Sequence, residues 1–242
     1  MDYKFLILVV IICFSCIQLI EVLSFIARIS GVKENKKSLA YSLQNAVFML
    51  TRLFTLALMP LLGFLVDHGI NKQDYLIMVS MALIFGSLMG FSVYFLRNRV
   101  VNVFSEVINK IAKGGGVFRQ IVLLPFYFIK SKGIEEKYKI ILYKDIFLSS
   151  AVVFGIYSLS VFIVFYIALF FPDYRTTITQ MSGVTNAFAT IFLTFFIEPK
   201  ISRAIDSNDD IGVGTNMLFS LILGRILGVG LLGGVLLVLV IL

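Results

Sequence analysis

Charge is scarce in these 242 residues: only 14% are Asp, Glu, Lys or Arg, against 59% hydrophobic, and the mean hydropathy is +0.98. A soluble domain carries about a quarter charged residues, so a soluble enzyme, a secreted disulfide scaffold and a disordered chain are excluded. Cysteine is nearly absent as well. Cys13 and Cys16 are the only two, inside an apolar run with no other Cys or His nearby. Their C-x-x-C spacing would signal redox or metal chemistry in a soluble protein; here both read as small packing residues. A single histidine, His68, is present, and no Gly-Lys-Ser/Thr follows Gly114-Gly115-Gly116. Neither a metal-ligand cluster nor a phosphate loop can be assembled from these, and no cofactor is expected.

What the chain has instead is apolar runs of about twenty residues, the length that crosses a hydrocarbon layer of about 30 Å as a helix. The runs are continuous rather than alternating, which excludes a transmembrane β-barrel. The expected fold is all-α and integral to the membrane, with six spans at roughly 4–27, 39–66, 75–96, 146–171, 178–199 and 216–242. The opening Met-Asp-Tyr-Lys has no net positive charge and no small-x-small cleavage site follows, so the first run reads as a retained helix and not a signal peptide.

Basic residues set the orientation. The first connection has Arg28, Lys33, Lys36 and Lys37; the third has ten Lys and Arg between Arg97 and Lys144; the fifth has Lys200 and Arg203. The opposite side has Lys4, Lys72 and Arg175. The positive-inside rule places the three basic connections in the cytoplasm and both termini outside. The net charge of +7 is explained by this retention, and no nucleic-acid partner is expected. Within the third connection, Val100, Phe104, Val107, Ile108 and Ile111 recur at helical spacing among polar residues. That pattern predicts an interfacial amphipathic helix on anionic phospholipid headgroups, ended by the glycines at 114–116. The run 117–129 is too short to span, contains Pro125, and reads as interfacial or re-entrant.

A faint internal repeat joins the halves. Asn45-Ala46 is followed by Pro60, Asp67 and Gly86-x-x-x-Gly90; Asn186-Ala187 is followed by Pro199, Asp206 and Gly224-x-x-x-Gly228. Both Pro-to-Asp intervals are seven residues. The charge rule sends the second span outward and the fifth inward, so the relation is a 3+3 inverted repeat, 1–96 against 146–242, joined by a cytoplasmic connection at 97–145 in one polytopic domain. Inverted repeats typify transporters that hold substrate near the midplane. The same glycines are equally accounted for by close helix packing.

Polar residues inside the spans mark the candidate site. Arg52 lies mid-span, at an insertion cost of at least about 2.5 kcal/mol unless it faces a cavity or a partner. Ser38, Tyr41, Asn45, Arg52 and Thr55 share one helix face at 100° per residue. Gln18, Glu21, Ser24 and Arg28 form a second stripe. Glu21 is expected either to pair with Arg28 or Arg52 or to exchange protons as a coupling group. Asn186, Thr190 and Thr194 climb toward Glu198 at four-residue intervals, and Arg225 sits in Gly-Arg-Ile-Leu-Gly. Arg28, Arg52 and Arg225, with Asn45 and Asn186, are the expected substrate ligands, since guanidinium forks match phosphate oxygens. Glu21, Glu198 and Asp67 are the candidate coupling or charge-pair acids. His68 beside Asp67 reads as a solvated interface pair.

At Ser42-Leu43, Asn45, Arg52, Pro60, Gly63 and Val66-Asp67, then Glu198-Pro199-Lys200, Ser202 and Asp206, the chain resembles the Amj family of bacterial lipid II flippases. The opening Ile20-Glu21-Val22-Leu23-Ser24-Phe25, Ala27-Arg28 and Gly31-Val32 is similar too. The resemblance implies a multi-pass protein of the bacterial cytoplasmic membrane. Its partner would be an undecaprenyl-pyrophosphate-linked glycan, moved from inner to outer leaflet for peptidoglycan synthesis without ATP hydrolysis. The reading of the residues agrees, with a flippase for another polyprenyl-linked oligosaccharide (O-antigen or capsule) or a membrane-embedded lipid-phosphate enzyme using His68–Asp67 or Glu21 as the alternatives. A further alternative is a non-transporting partner of a synthase.

Overall fold

The computed structural model describes residues 3–131, 141–207 and 211–242. Among them five helices are long and apolar enough to cross a membrane. The first is α1 (Tyr3–Lys33). At 1.5 Å per residue its 31 residues reach about 46 Å, well beyond the hydrocarbon thickness, so Arg28 and Lys33 fall inside the helix and not in a connection. A turn with Asn35 at φ 53° reverses the chain. The second crossing follows as two collinear pieces, α2 (Lys37–Met49) and α3 (Thr51–Asp67). They meet at Leu50, where the Thr51 hydroxyl donates to the Phe48 carbonyl at 2.7 Å. Next comes α4 (Lys72–Phe95), started by the Asn71 side chain accepting from the Gln73 N–H.

The third connection begins with α5 (Arg97–Ala112), whose apolar stripe is where the spacing put it. Its surroundings differ from expectation. Val100, Phe104, Val107 and Ile108 are buried against protein, the Ser30 hydroxyl donates to the Val101 carbonyl at 3.0 Å, and Ile108 reaches Gly31 of α1. The stripe therefore seals the overlong end of α1 and does not rest on headgroups. Lys110 on the outer face donates to Glu106 at 2.6 Å, and that bond raises the Lys110 pKa above the ordinary lysine value. The stretch 117–129 folds as two short helices, α6 (Val117–Val122) and α7 (Leu124–Lys130), with Pro125 in the first turn of α7, where no N–H is missed. Tyr127 of α7 donates to Gln120 of α6 at 2.8 Å, and the pair folds back on α5 where Lys110 lies 3.9 Å from the Tyr127 ring centre and Arg99 donates to the Phe128 carbonyl at 2.6 Å. Phe118, Val122, Phe126 and Ile129 stay exposed.

The second half opens with α8 (Lys144–Ala168) and closes with α12 (Ile211–Ile241). Between them the expected span at 178–199 is not one regular helix. After a 3₁₀ turn at Pro172–Tyr174 it comprises α9 (Arg175–Gln180), α10 (Ser182–Phe192), a π turn at Leu193–Ile197 and α11 (Glu198–Asp206). Pro199 supplies a cause for the π turn, because it has no N–H and its ring crowds the carbonyl four residues earlier.

Glycine contacts fix the directions. A Cβ on Gly86 would lie 2.8 Å from Gln18, and one on Gly90 3.3 Å from Val22, so α4 runs parallel to α1. A Cβ on Gly224 would lie 2.2 Å from the Phe147 carbonyl and one on Gly228 2.3 Å from the Ala151 carbonyl, so α12 runs parallel to α8. Gly233 abuts Leu83 and Ile84, and Ser87 donates to the Ile226 carbonyl at 2.8 Å, which sets α12 antiparallel to α4. The described residues from 169 to 207 run back along the bundle. Arg175 meets Asp67 at 3.6 Å at one end, and Ile201 and Ile205 are buried among α1, α5 and α12 residues at the other, basic end. Two apolar clusters fill the bundle, one at each end. The polar residues lie between them.

Candidate functional site

Where the two clusters meet, α1, α2–α3, α8 and the α10–π–α11 segment enclose a cavity of about 250 Å3. Its walls include Glu21, Tyr41, Asn45, Arg52, Tyr157, Thr190, Thr194 and Glu198. Every stripe expected from periodicity contributes to it. A smaller void of about 50 Å3 continues it past Arg52 toward Gln18, Thr55 and Ser158.

The charges are arranged as follows. Arg225, 1% exposed, is ion-paired with Glu21, also 1% exposed. It donates from Nε and Nη2 to Gln18 Oε1 at 3.2 and 2.9 Å and lies 4.3 Å from the Phe154 ring centre. Gln18 in turn donates to Ser158 at 3.0 Å. Arg28, nearer the basic end, donates to Glu198 at 2.6 Å, to Ser202 at 2.8 Å and to Gln44 at 3.4 Å. The partner expected for Glu21, Arg28 or Arg52, is thus corrected to Arg225; Arg28 takes Glu198. Each pair joins one half of the chain to the other, with the signs reversed.

Arg52 stands apart. It is exposed toward the cavity, and no described carboxylate pairs with it. Two neutral pairs plus Arg52 leave the cavity with one uncompensated positive charge. Asn45 is exposed on the same wall. Asn186 belongs to α10, but its side chain lies outside the described residues. Asp67 and His68 are remote. Asp67 is exposed and meets Arg175, and the His68 ring stacks on Phe64 at 3.8 Å. Among the described residues no three of His, Cys, Asp and Glu come together. Sequence reasoning missed Gln44, Phe154, Tyr157 and Ser158. In α8, Ser158 and Ser160 were the visible signal, polar positions in an otherwise apolar run that nothing in the local pattern required.

Five helices long and apolar enough to cross a membrane, packed around a polar cavity that holds an arginine unpaired among the described residues, define an all-α integral membrane protein. The chain belongs to the Amj family, whose profile, described as Alternate to MurJ, matches residues 13–240. It is similar to the lipid II flippase Amj of Bacillus subtilis (strain 168), 28% identical over 207 residues and covering 78% of this chain and 76% of that one. No solved structure matches it.

Proposed function

We propose that this chain is a flippase of the bacterial cytoplasmic membrane that carries a polyprenyl-pyrophosphate-linked glycan, lipid II, from the inner to the outer leaflet. The observation that carries the reading is Arg52. It is a guanidinium in a mid-depth cavity, with its charge uncompensated and amide, hydroxyl and phenol groups around it. Arg retains its charge when partly desolvated and presents a fork to phosphate oxygens. An anion is the guest that makes its position in the membrane favourable. At about 250 Å3 the cavity suits a diphosphate and its first sugar atoms, while the rest of the glycan needs a wider state.

We read six crossings with that mechanism. Five helices are long and apolar enough to span, and the parallel run of α8 and α12 supports a return of the α9–α11 segment as a further, fifth crossing. On this reading both halves have the same plan. The third crossing packs parallel on the first through Gly-x-x-x-Gly, at Gly86/Gly90 and Gly224/Gly228. The second departs from regular α-helix beside the cavity, at the Leu50 turn and at the π turn Leu193–Ile197. Broken helices at the interface of inverted repeats are where transporters bind substrate. With the basic end in the cytoplasm, the Arg28–Glu198 pair closes the cytoplasmic side in this state, and rocking one repeat against the other opens it. An inside-negative potential favours outward movement of the anionic head by about 2.3 kcal/mol per charge per 100 mV, which removes any need for ATP.

The test is flipping of labelled lipid II by the purified full chain in liposomes, with phosphate release followed in the same samples. Protein-dependent flipping without phosphate release supports the reading. Phosphate release identifies the lipid-phosphate enzyme instead, and flipping only of a different polyprenyl-linked oligosaccharide would change the glycan.

A further inference from the structure

A second, apolar cavity of about 540 Å3 lies between α8 and α10. Leu148, Val152 and Ile156 form one wall and Phe188 and Phe192 the other. All five side chains are exposed at the protein surface, Val152 at 61% and Phe188 at 70%. The groove adjoins the charged cavity, with the buried Val153 as the wall between them. Val153 lines both, and the chain passes from Phe192 in the groove directly to Leu193 and Thr194 in the cavity wall. The π turn starts at that junction, where the widened helix lets consecutive residues serve two compartments.

From this juxtaposition we propose that the α8–α10 groove seats the polyprenyl chain of the lipid whose diphosphate is held at Arg52. The inference rests on the function proposed above and extends it to the tail. An amphiphile with its anionic head on Arg52 must direct its hydrocarbon out of a polar cavity. On the far side of Val153 it finds a groove of twice the volume, lined by branched aliphatic and aromatic side chains that match isoprene units in shape. A tail held there stays in the hydrocarbon layer throughout, so only the head has to change sides.

The chain contains no Trp, which makes a single introduced Trp a clean reporter. Ile156→Trp in the full chain, reconstituted in brominated phosphatidylcholine vesicles, is quenched by the bilayer lipid that fills the groove. Undecaprenyl diphosphate, unbrominated and at a few mole per cent, is expected to relieve at least half of that quenching. Inorganic pyrophosphate should relieve none, and Leu239→Trp, a lipid-facing control on α12, should not respond to either. Val152→Trp, one turn earlier in the same groove, repeats the measurement should Ile156→Trp fail to fold. Calorimetric binding of inorganic pyrophosphate to the same samples reports the head site. Intact pyrophosphate binding with no relief of quenching overturns the tail site and leaves the proposed function standing. Equal relief by unbrominated phosphatidylcholine also overturns it, since the groove is then an ordinary lipid contact. If neither ligand binds the unmodified chain, the function proposed above fails and takes the tail site with it.

Discussion

Among the charged residues of the bundle, Arg52 is the one whose removal should cost function without costing the fold. It makes no described ion pair and faces open space, so Arg52→Ala is expected to insert and express normally while flipping falls by at least tenfold. Arg52→Lys should recover little, because an ammonium cannot reproduce the bidentate fork. Full activity of Arg52→Ala in the liposome assay would remove the basis for the site. Glu21 is the opposite case. Glu21→Gln leaves Arg225 buried without a counter-charge, and loss of one partner from a buried pair costs about 3–5 kcal/mol. A lower melting temperature is expected, with recovery in the Glu21→Arg/Arg225→Glu exchange. A stable Glu21→Gln protein that has lost only its response to a pH gradient would instead make Glu21 a coupling acid. The stripes containing these residues were legible from the 100° periodicity alone. Their pairing was not, because three arginines and two glutamates spread over four helices can combine in several ways, and only the tertiary placement of α12 selects Glu21 for Arg225.

Elements were legible where length and hydropathy decide, and misread where the neighbour decides. The period of α5 announces an apolar face, yet periodicity is silent on whether lipid or protein covers it; α1, extending past the bilayer thickness, supplies the cover. The bare stripe falls to α6–α7. Phe118, Val122, Phe126 and Ile129 beside Arg119 and Lys130 are expected to dip into the headgroup region, so Phe126→Trp should be quenched by lipids brominated near the headgroup. Complete shielding from such lipids would place these helices away from the membrane. Glycines on α12 give a sharper contrast. Gly228→Ala would press a methyl to 2.3 Å from a backbone carbonyl of α8, whereas Gly234→Ala meets nothing within 4 Å. The first should destabilise the protein by several degrees in a thermal melt. The second should be neutral or stabilising by up to about 1 kcal/mol, the helix-propensity difference. Equal behaviour of the two would contradict the close α8–α12 packing.

At the scale of the whole molecule, orientation is the most direct test. A cysteine at Lys110 is expected to be shielded from an impermeant reagent outside intact cells and one at Asn71 to be labelled; the reverse would invert the bundle and the direction of transport. The proposed repeat was readable in the sequence only as spacing, and what supports it in the structure is the pair of parallel Gly-x-x-x-Gly contacts and the interruptions at Leu50 and Leu193–Ile197. The run read from hydropathy as a span at 178–199 is divided in the structure at Met181 and by the π turn at Leu193–Ile197, breaks that hydropathy does not weigh.

The reciprocal pairs between the halves have a consequence in time. Gln18 and Arg225 are 207 residues apart. At about 5–20 residues per second of synthesis, α1 waits roughly 10–40 s after emerging before α12 is made. During that interval Glu21 has no counter-charge from the second half, and a lone charge near the bilayer centre costs about 2.5–3.5 kcal/mol on insertion scales. The nascent first half is therefore held in place by its apolar surface against the pull of its own polar stripe. Ribosomes stalled before α12 should leave α1 accessible to aqueous thiol reagents at position 21, and completion of α12 should abolish that labelling. Only α12 completes the charge pairing of α1, so a chain that never receives it keeps Glu21 without its arginine.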